Sequence, residues 1–467
     1  MFRSSIYRQR RQVLKDKVQT GCIVFTGNRR SPINYAGNTY PFRQDSSFLY
    51  YFGLDMPDLA ALIDVDGDAD IIFGDDPTMD DIIWEGPSPT LGQWCEKTGI
   101  SANSGSAGLQ RTLEEALTAD RPIHFLPQYQ AGNAMKLAQM LNLPVAELAE
   151  KASPELLSAV IDQRSIKTEP EIEQIEAALD ISFIMHTTAM RMSSPGQYER
   201  EIAGAVSSIA FAASGRMPAF PIIFSIDGQT LHNHSHANLM QEGDMIVHDS
   251  GAESPLGYAS DITRTIPVSG EFTPLQKDIY TMVLRMQAAA FAAMKPGIAY
   301  RDVHLTACRQ LAADLVDLDL YTGDVEAIVE SGAHALLFPH GLGHMLGLDV
   351  HDMEGLGEDL VGYDRRIRRS PQFGISYLRL GKVLESGFVV TVEPGIYFIP
   401  KLIERWKAEK KFEEYINYDH ITDLMDFGGI RLEDDILVTE SGIRVLGPPI
   451  PRTIDEVEAC CGELIRS

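Results

Sequence analysis

The distribution of apolar residues predicts alternating strands and helices in the first third of the chain. Short apolar runs typical of buried strands lie at Cys22–Phe25, Ala60–Val65 and Ile71–Phe73. A helical periodicity extends from Gln130 to Leu148. We therefore predict an α/β N-terminal domain.

The predicted helices become longer after residue 150. Ser153–Pro154 marks one helix start, and Thr168 followed three positions later by Glu171 predicts the N-terminus of a helix that runs to about Met192. We place a domain boundary at about residue 165, which gives an N-terminal domain over residues 1–165 and a second domain over residues 166–467.

The second domain carries further helical patterns, at about residues 274–294 and 301–318, and strand patterns that contain acidic residues. Four such strand segments are Met245–Gly251, Ser260–Thr265, Phe388–Gly395 and Ile430–Ile436. Period-two alternation places Asp261, Thr263 and Thr265 on one face, and likewise Arg431, Glu433 and Asp435.

A carboxylate on a strand of Val and Ile is costly to bury without a partner. Any one of these segments alone is better interpreted as an edge strand with its acid in water. Four in one half of the chain favour convergence of the carboxylates on cations.

A glycine-rich segment adds three histidines, His340, His344 and His351. The four-residue spacing of the first two would suit a helical zinc pair, but Gly341 and Gly343 each disfavour a helix by roughly 1 kcal/mol. We predict an extended segment whose backbone approaches a neighbour closely.

The charge balance of the site indicates two metal ions. Four carboxylates offset two divalent cations, and without metal some of them would have to protonate. Oxygen ligands with a single imidazole suit Mn(II), Co(II) or Zn(II), and the oxygen-rich set favours Mn(II).

Composition excludes several partners. The formal net charge of −26 argues against nucleic acid and anionic membrane. No run of 18 apolar residues occurs, so we expect no membrane span and a cytoplasmic protein. The cysteines are odd in number and widely spaced, so neither a disulfide framework nor a zinc cluster is expected; they are Cys22, Cys95, Cys308, Cys460 and Cys461.

These segments resemble the pita-bread metallopeptidases (family M24), specifically the branch of aminopeptidase P and prolidase. His340–Asp352 and Val392–Tyr397 carry the resemblance in the second domain, and Tyr40–Phe48 resembles the aminopeptidase P N-terminal domain. The resemblance implies an α/β (α+β) fold in which a pita-bread catalytic domain follows an α/β N-terminal domain. It also implies a homo-oligomer, either a dimer or a tetramer.

The resemblance implies a role for each site residue. The metal ligands would be Asp249, Asp261, His344, Glu393 and Glu433. Asp261 and Glu433 would bridge the two ions, and Glu393 would also transfer protons. His232, His340 and His351 would orient substrate or stabilise the tetrahedral intermediate, although His234 and His236 leave the first of these assignments open. Arg431 would support the bridging Glu433.

The implied activity is release of an N-terminal residue from peptides with proline in the second position. Prolidase, a Xaa-Pro dipeptidase, remains the alternative. It would need a side chain for the proline carboxylate, and Arg379, 14 residues before Glu393, is the candidate, although a surface cation beside Lys382 is an equal interpretation. A non-catalytic binding module of the same fold is disfavoured because all five ligands are present.

Overall fold

The structure, a computed structural model, describes residues 1–462. The chain divides into two compact units, Met1–Arg164 with Glu354–Gly357, and Ser165–Met353 with the segment from Glu358 onward.

The N-terminal unit is built around one mixed sheet. Its elements are α1 (Ser4–Val18), β1 (Cys22–Thr26), β2 (Pro32–Tyr35), β3 (Asn38–Thr39), α2 (Ser46–Phe52), β4 (Ala60–Asp64), β5 (Ala69–Phe73), α3 (Met79–Glu85), α4 (Leu91–Thr98), β6 (Ala102–Ser104), α5 (Gly108–Thr118), β7 (Ile123–Phe125), α6 (Ala131–Met140) and α7 (Pro154–Ser165). The strand order is β6-β5-β4-β1-β7, in which β1 pairs antiparallel with β4 and parallel with β7. The predicted α/β character and its three strands are confirmed.

The C-terminal unit contains three small sheets and the longest helices. Its elements are α8 (Glu169–Met192), α9 (Glu199–Ser214), β8 (Ile223–Ser225), β9 (Met245–Ser250), β10 (Ile262–Pro267), α10 (Pro274–Ala293), α11 (Tyr300–Asp317), α12 (Val325–Ser331), α13 (Glu358–Gly362), β11 (Val389–Val392), β12 (Gly395–Tyr397), α14 (Pro400–Ala408), α15 (Tyr418–Thr422), β13 (Gly429–Arg431), β14 (Asp434–Val438), β15 (Ile443–Val445) and α16 (Ile454–Cys461). The sheets have the orders β10-β9-β8, β11-β14-β15 and β12-β13. Every residue of β9 and β10 is buried, including the charged residues Asp249 and Arg264.

The predicted start of α8 is confirmed. The backbone N–H and the hydroxyl of Thr168 donate to Oε2 of Glu171 at 3.1 and 2.7 Å. This reciprocal cap supplies a partner to a backbone donor that the first helical turn leaves unpaired. The helix then ends at Met192, as its sequence indicates.

The helix predicted over Gln130–Leu148 is too long. The helix α6 ends at Met140, and only a short 3-10 turn, Val145–Glu147, follows. Asn142 takes a positive φ of 52°, and Pro144 has no N–H to continue a helix. These two residues separate the two elements.

Two predicted strands are each divided. Val389–Val392 pairs with β14, but after Glu393–Pro394 the chain enters β12, which pairs with β13. The predicted strand Ile430–Ile436 divides in the same way at Leu432–Glu433. Both glutamates therefore lie where the chain passes from one sheet to another.

Candidate active site

Two aspartates lie on one antiparallel strand pair. Asp249 in β9 is opposite Thr263 in β10, and Asp261 immediately precedes β10. Only 8% of Asp249 and 5% of Asp261 is exposed. The backbone N–H of Asp261 donates to Oδ2 of the buried Asp435 at 3.0 Å. These buried strands therefore hold two acids in fixed positions beside a third.

Two glutamates, Glu393 and Glu433, extend this group of acids from the breaks in the two divided strands. The N–H of Glu393 donates to the Leu342 carbonyl at 2.8 Å, and the N–H of Glu433 donates to the Thr263 carbonyl at 3.0 Å. The Thr263 hydroxyl also donates to Oε2 of Glu433 at 2.7 Å. Backbone pairing thus fixes both residues, and Glu433 is further oriented through its carboxylate.

His344 lies on an extended segment beside β11, as predicted. Its N–H donates to Oγ1 of Thr391 at 3.1 Å, and the Thr391 N–H donates to the His344 carbonyl at 3.0 Å. A Cβ on Gly343 would lie 2.2 Å from the Thr391 carbonyl oxygen, and a Cβ on Gly341 would lie 2.6 Å from the Leu378 Cα. Both positions require glycine because backbone occupies the space of a side chain.

The ring of His344 is oriented for metal ligation. Its Nδ1 donates to the Met345 carbonyl at 3.0 Å, which leaves the Nε2 lone pair free. Nε2 lies 3.4 Å from Oδ2 of Asp261 and 3.6 Å from Oε1 of Glu393. One ligand atom each of Asp261, His344 and Glu433 lies within 4.8 Å of the other two.

Two carboxylate oxygens indicate what the cluster binds. Within residues 1–462, Oδ1 of Asp249 and Oδ1 of Asp261 are buried and have no hydrogen-bond partner. Buried polar atoms are nearly always paired, so unpaired anionic oxygens at the centre of a cluster need another partner. Divalent cations prefer such hard oxygen donors together with an imidazole. The donor set fits divalent metal ions.

The electrostatics of the cluster support the same interpretation. Burial raises the pKa of Asp261 well above its ordinary value, and the charge of Asp249 adds to the effect. Burial likewise raises the pKa of Glu433, with Asp261 and Glu393 contributing, and it raises the pKa of Glu393. Cations between these groups would stabilise their ionised forms.

Arg431 links the cluster to its surroundings. Its Nη2 donates to Oδ2 of Asp249 at 2.7 Å, its Nε to Oγ1 of Thr263 at 3.2 Å, and its Nη1 to the Tyr397 hydroxyl at 3.0 Å. The Tyr397 hydroxyl in turn lies 2.9 Å from Nε2 of His340. A continuous hydrogen-bond chain therefore connects Asp249 to His340.

The protonation state of His340 follows from this chain. Its Nδ1 donates to the Gly341 carbonyl at 2.8 Å, so its Nε2 accepts from Tyr397. Burial lowers the pKa of His340 to about 3, and the charge of Arg431 acts in the same direction. His340 is a neutral imidazole with both nitrogens engaged.

The other two predicted histidines also lie at the cluster. The ring of His351 is 4.3 Å from that of His344, measured between centroids. Partial burial lowers the pKa of His232, and the charges of Arg431 and Arg379 contribute, which places His232 near both. His236 instead bonds through Nε2 to the Ile222 carbonyl at 3.0 Å.

Arg379 is partly exposed and makes an ion pair. Its Nη1 lies 3.2 Å from Oε2 of Glu358, which also pairs with Arg369. About a third of the Arg379 side chain, 34%, remains accessible. Its assignment to a substrate carboxylate stays a prediction.

Sequence reasoning missed two contributors. Tyr397 joins Arg431 to His340, and its only signal was its position in a buried Gly-Ile-Tyr strand. Arg264 donates from Nη1 to the Glu433 carbonyl and from Nη2 to Oδ1 of Asp434, both at 2.7 Å. A charged residue within the apolar strand β10 was the signal that could have identified it.

None of the helices in residues 1–462 combines the length and the apolar character that a bilayer crossing requires.

The comparisons with known proteins identify the family. The sequence model of metallopeptidase family M24 matches residues 173–440, and the model of the aminopeptidase P N-terminal domain matches residues 7–124. The chain therefore belongs to metallopeptidase family M24, which supports a metal-dependent hydrolase.

Individual relatives span nearly the whole chain. A human Xaa-Pro dipeptidase is 31% identical over 455 residues, which cover 95% of this chain and 89% of the relative. A probable Xaa-Pro aminopeptidase from Botryotinia fuckeliana is 30% identical over 453 residues, covering 96% and 94%. A structure of a variant of Escherichia coli aminopeptidase P is similar with a TM-score of 0.82 and 26% identity, and each chain is covered completely. The predicted fold, in which a pita-bread domain follows an N-terminal domain, is confirmed.

Proposed function

We propose that this protein is a dinuclear-metal Xaa-Pro aminopeptidase. The observation that carries the proposal is the cluster of Asp261, His344 and Glu433, whose ligand atoms lie within 4.8 Å of one another, together with the unpaired oxygens on Asp249 and Asp261. Similarity to aminopeptidase P over the complete chain supports the choice within the family.

Five residues would hold two divalent cations, Mn(II) by preference and Co(II) or Zn(II) as alternatives. They are Asp249, Asp261, His344, Glu393 and Glu433. When bound, such ions lower the pKa of a water molecule and polarise the scissile carbonyl. Purified protein should contain close to two divalent ions per chain, and Glu433→Ala should abolish hydrolysis. A fully active Glu433→Ala variant, or an active chelated protein, would refute the dinuclear site.

Glu393 is suited to proton transfer. Its side chain is 20% exposed, compared with 3% for His344 and 7% for Asp261, so it lies on the accessible side of the cluster. A carboxylate on that side of the cluster can accept a proton and release it again, as general acid–base catalysis requires. We assign it to accept a proton during attack and to deliver one to the leaving nitrogen.

The histidines and Arg431 would act around the reacting carbonyl. We assign His232 and His351 to binding of the substrate carbonyl and the tetrahedral intermediate. His340 is neutral and fully hydrogen-bonded, so we assign it to substrate positioning together with Tyr397. Arg431 holds Asp249 and Thr263 in place while offsetting negative charge.

The substrate class follows from proline chemistry. A peptide bond to proline is a tertiary amide without an N–H, so the site cannot require a donor at that nitrogen. An aminopeptidase must leave the chain beyond proline free, whereas a dipeptidase must bind the proline carboxylate. The Glu358 carboxylate already forms an ion pair with the Arg379 guanidinium, which reduces the capacity of Arg379 to bind a proline carboxylate. This ion pair therefore favours the aminopeptidase.

The deciding experiment compares kcat/KM for Xaa-Pro and Xaa-Pro-Xaa peptides in wild type, Arg379→Ala and Glu358→Gln. The second variant is the matched control, because it breaks the same ion pair but keeps the arginine. We expect efficient tripeptide cleavage in all three proteins. Activity confined to dipeptides, lost in Arg379→Ala and retained in Glu358→Gln, would establish a prolidase instead.

We further propose that residues 1–165 form the aminopeptidase P-type domain and residues 166–467 the catalytic domain, in a cytoplasmic homo-oligomer. Five free thiols support a reducing compartment. Light scattering distinguishes a monomer from the expected dimer or tetramer.

A further inference from the structure

A second cluster of metal-binding side chains lies in the core of the C-terminal unit. His304 and Cys308 are one turn apart on α11, and His334 lies on the 3-10 turn Ala333–Leu336. Their exposed fractions are 1%, 0% and 1%. One ring nitrogen of each histidine and the Cys308 sulfur all lie within 4.8 Å of one another.

The hydrogen bonds of this cluster are incomplete. Nε2 of His304 lies 3.4 Å from Sγ of Cys308, a weak contact. Within residues 1–462, Nδ1 of His304 and both ring nitrogens of His334 are buried and have no hydrogen-bond partner. The backbone of Ile328 opposes the lowering of the His334 pKa, but it does not form a hydrogen bond of good geometry with either ring nitrogen. Native cores rarely leave three such atoms unpaired.

The cluster is separate from the active site. The Phe338 ring lies 5.4 Å from the His304 ring and 4.9 Å from the His340 ring, measured between centroids. An aromatic side chain thus contacts both groups, and the cluster contributes no ligand to the carboxylate centre.

Charge decides which ion suits the cluster. Burial lowers the pKa of His304 to about 3 and that of His334 to about 4, so both rings are neutral with lone pairs to offer. A thiolate with two neutral imidazoles carries one negative charge. A monovalent cation makes the complex neutral, whereas Zn(II) would leave a buried positive charge. Thiolate ligands also select soft ions such as Cu(I).

We propose that His304, Cys308 and His334 form a binding site for a single Cu(I) ion. Binding replaces the thiol proton of Cys308 by a copper–sulfur bond and releases that proton to solvent. Because each ion bound releases one proton, the apparent affinity should increase with pH.

The test is an anaerobic Cu(I) titration of EDTA-treated full-length protein against a competing Cu(I) chelator. Wild type should bind one Cu(I) tightly, and Cys308→Ser and His334→Phe should each lose that binding. The matched control is Cys460→Ser/Cys461→Ser, which removes an adjacent pair of buried thiols on α16 and should retain it. Retention in Cys308→Ser, or loss in the control, overturns the proposal.

X-ray absorption of copper-loaded wild type gives an answer that requires no variant. The expected coordination is one sulfur and two imidazole nitrogens. Two sulfurs would assign the ion to Cys460 and Cys461 and refute the site. Protein that does not bind Cu(I) but shows a cobalt–thiolate charge-transfer band when Co(II) is added would overturn the charge argument. Carboxylate ligands cannot produce that band, so it could not come from the carboxylate cluster.

Discussion

Arg431 donates to Asp249 at 2.7 Å, and their side chains are only 5% and 11% exposed. In the metal-free protein this guanidinium offsets charge among several buried carboxylates. We expect Arg431→Met to destabilise the chelated protein by about 3 kcal/mol, because breaking a buried pair leaves an uncompensated charge. The metal-loaded variant should lose much less. Thermal unfolding with and without metal measures the difference, and equal losses in both forms would contradict this role.

The buried carboxyls should make the metal-free protein less stable as pH rises. The folded-state pKa values of Asp261 and Glu433 are raised, so between the ordinary carboxyl pKa and the raised values these groups bind more protons in the folded than in the unfolded chain. Their contribution to the free energy of unfolding therefore falls with increasing pH across that window. Buried histidines with lowered pKa values, such as His304 and His340, act in the opposite direction below their ordinary pKa of 6.5, so the contribution of the carboxyls is measured as a difference between two chelated proteins that share these histidines.

The control for the pH dependence is Glu433→Gln, which removes one titrating group with little change of shape. Its chelated form should show a shallower fall in stability. A slope equal to that of wild type would show that the dependence arises elsewhere.

Thr263→Val should weaken metal binding. The variant loses the hydroxyl that donates to Glu433 and accepts from Arg431, while its shape is preserved. Removal of a residue that orients a ligand typically lowers metal affinity about 10- to 100-fold. Competition with a metal chelator measures the affinity, and Thr263→Ser should remain close to wild type. An unchanged affinity in Thr263→Val would exclude the hydroxyl from metal binding.

His351→Ala should lower kcat about 100-fold or more while metal content stays near wild type, because its proposed contact forms in the transition state. Steady-state kinetics and elemental analysis on the same preparation separate the two quantities. Loss of metal would mean that His351 is a ligand.

The segment that carries His351 is anchored by a buried ion pair. Nζ of Lys167 lies 2.8 Å from Oδ2 of Asp352, and each side chain is 1% exposed. Lys167→Met should destabilise the protein by about 3–5 kcal/mol. The double variant Lys167→Met/Asp352→Leu should recover part of that loss, as denaturant unfolding would show. A double variant less stable than Lys167→Met would contradict the pairing.

Local sequence patterns were sufficient for much of this structure. The start of α8 and the extended backbone beside His344 could be predicted from the capping residues and the glycines at those positions. Helix capping and close backbone approach depend on residues that are neighbours in sequence. The four carboxylate positions stood out because charged residues interrupt apolar strands, whereas His344 lies in a glycine-rich segment and its selection as a ligand rests on the resemblance to the family.

Long-range pairing was not visible in those patterns. The breaks after Val392 and Arg431 depend on which strand pairs with which, and no local periodicity reports that choice. Tyr397 acquires its role from partners 34 and 57 positions away. His334 meets Cys308 from 26 positions away in the same manner.

The order of the predicted ligands along the chain has a consequence for biosynthesis. Asp249 and Glu433 are 184 positions apart (433 − 249), and Glu433 is held by a backbone bond to Thr263. At about 5–20 residues per second, the ribosome needs roughly 10–40 s to make the chain between them. Throughout that interval the growing polypeptide has no complete metal site. Capture of metal by the proposed ligands would therefore be a late event that coincides with closure of the last strands.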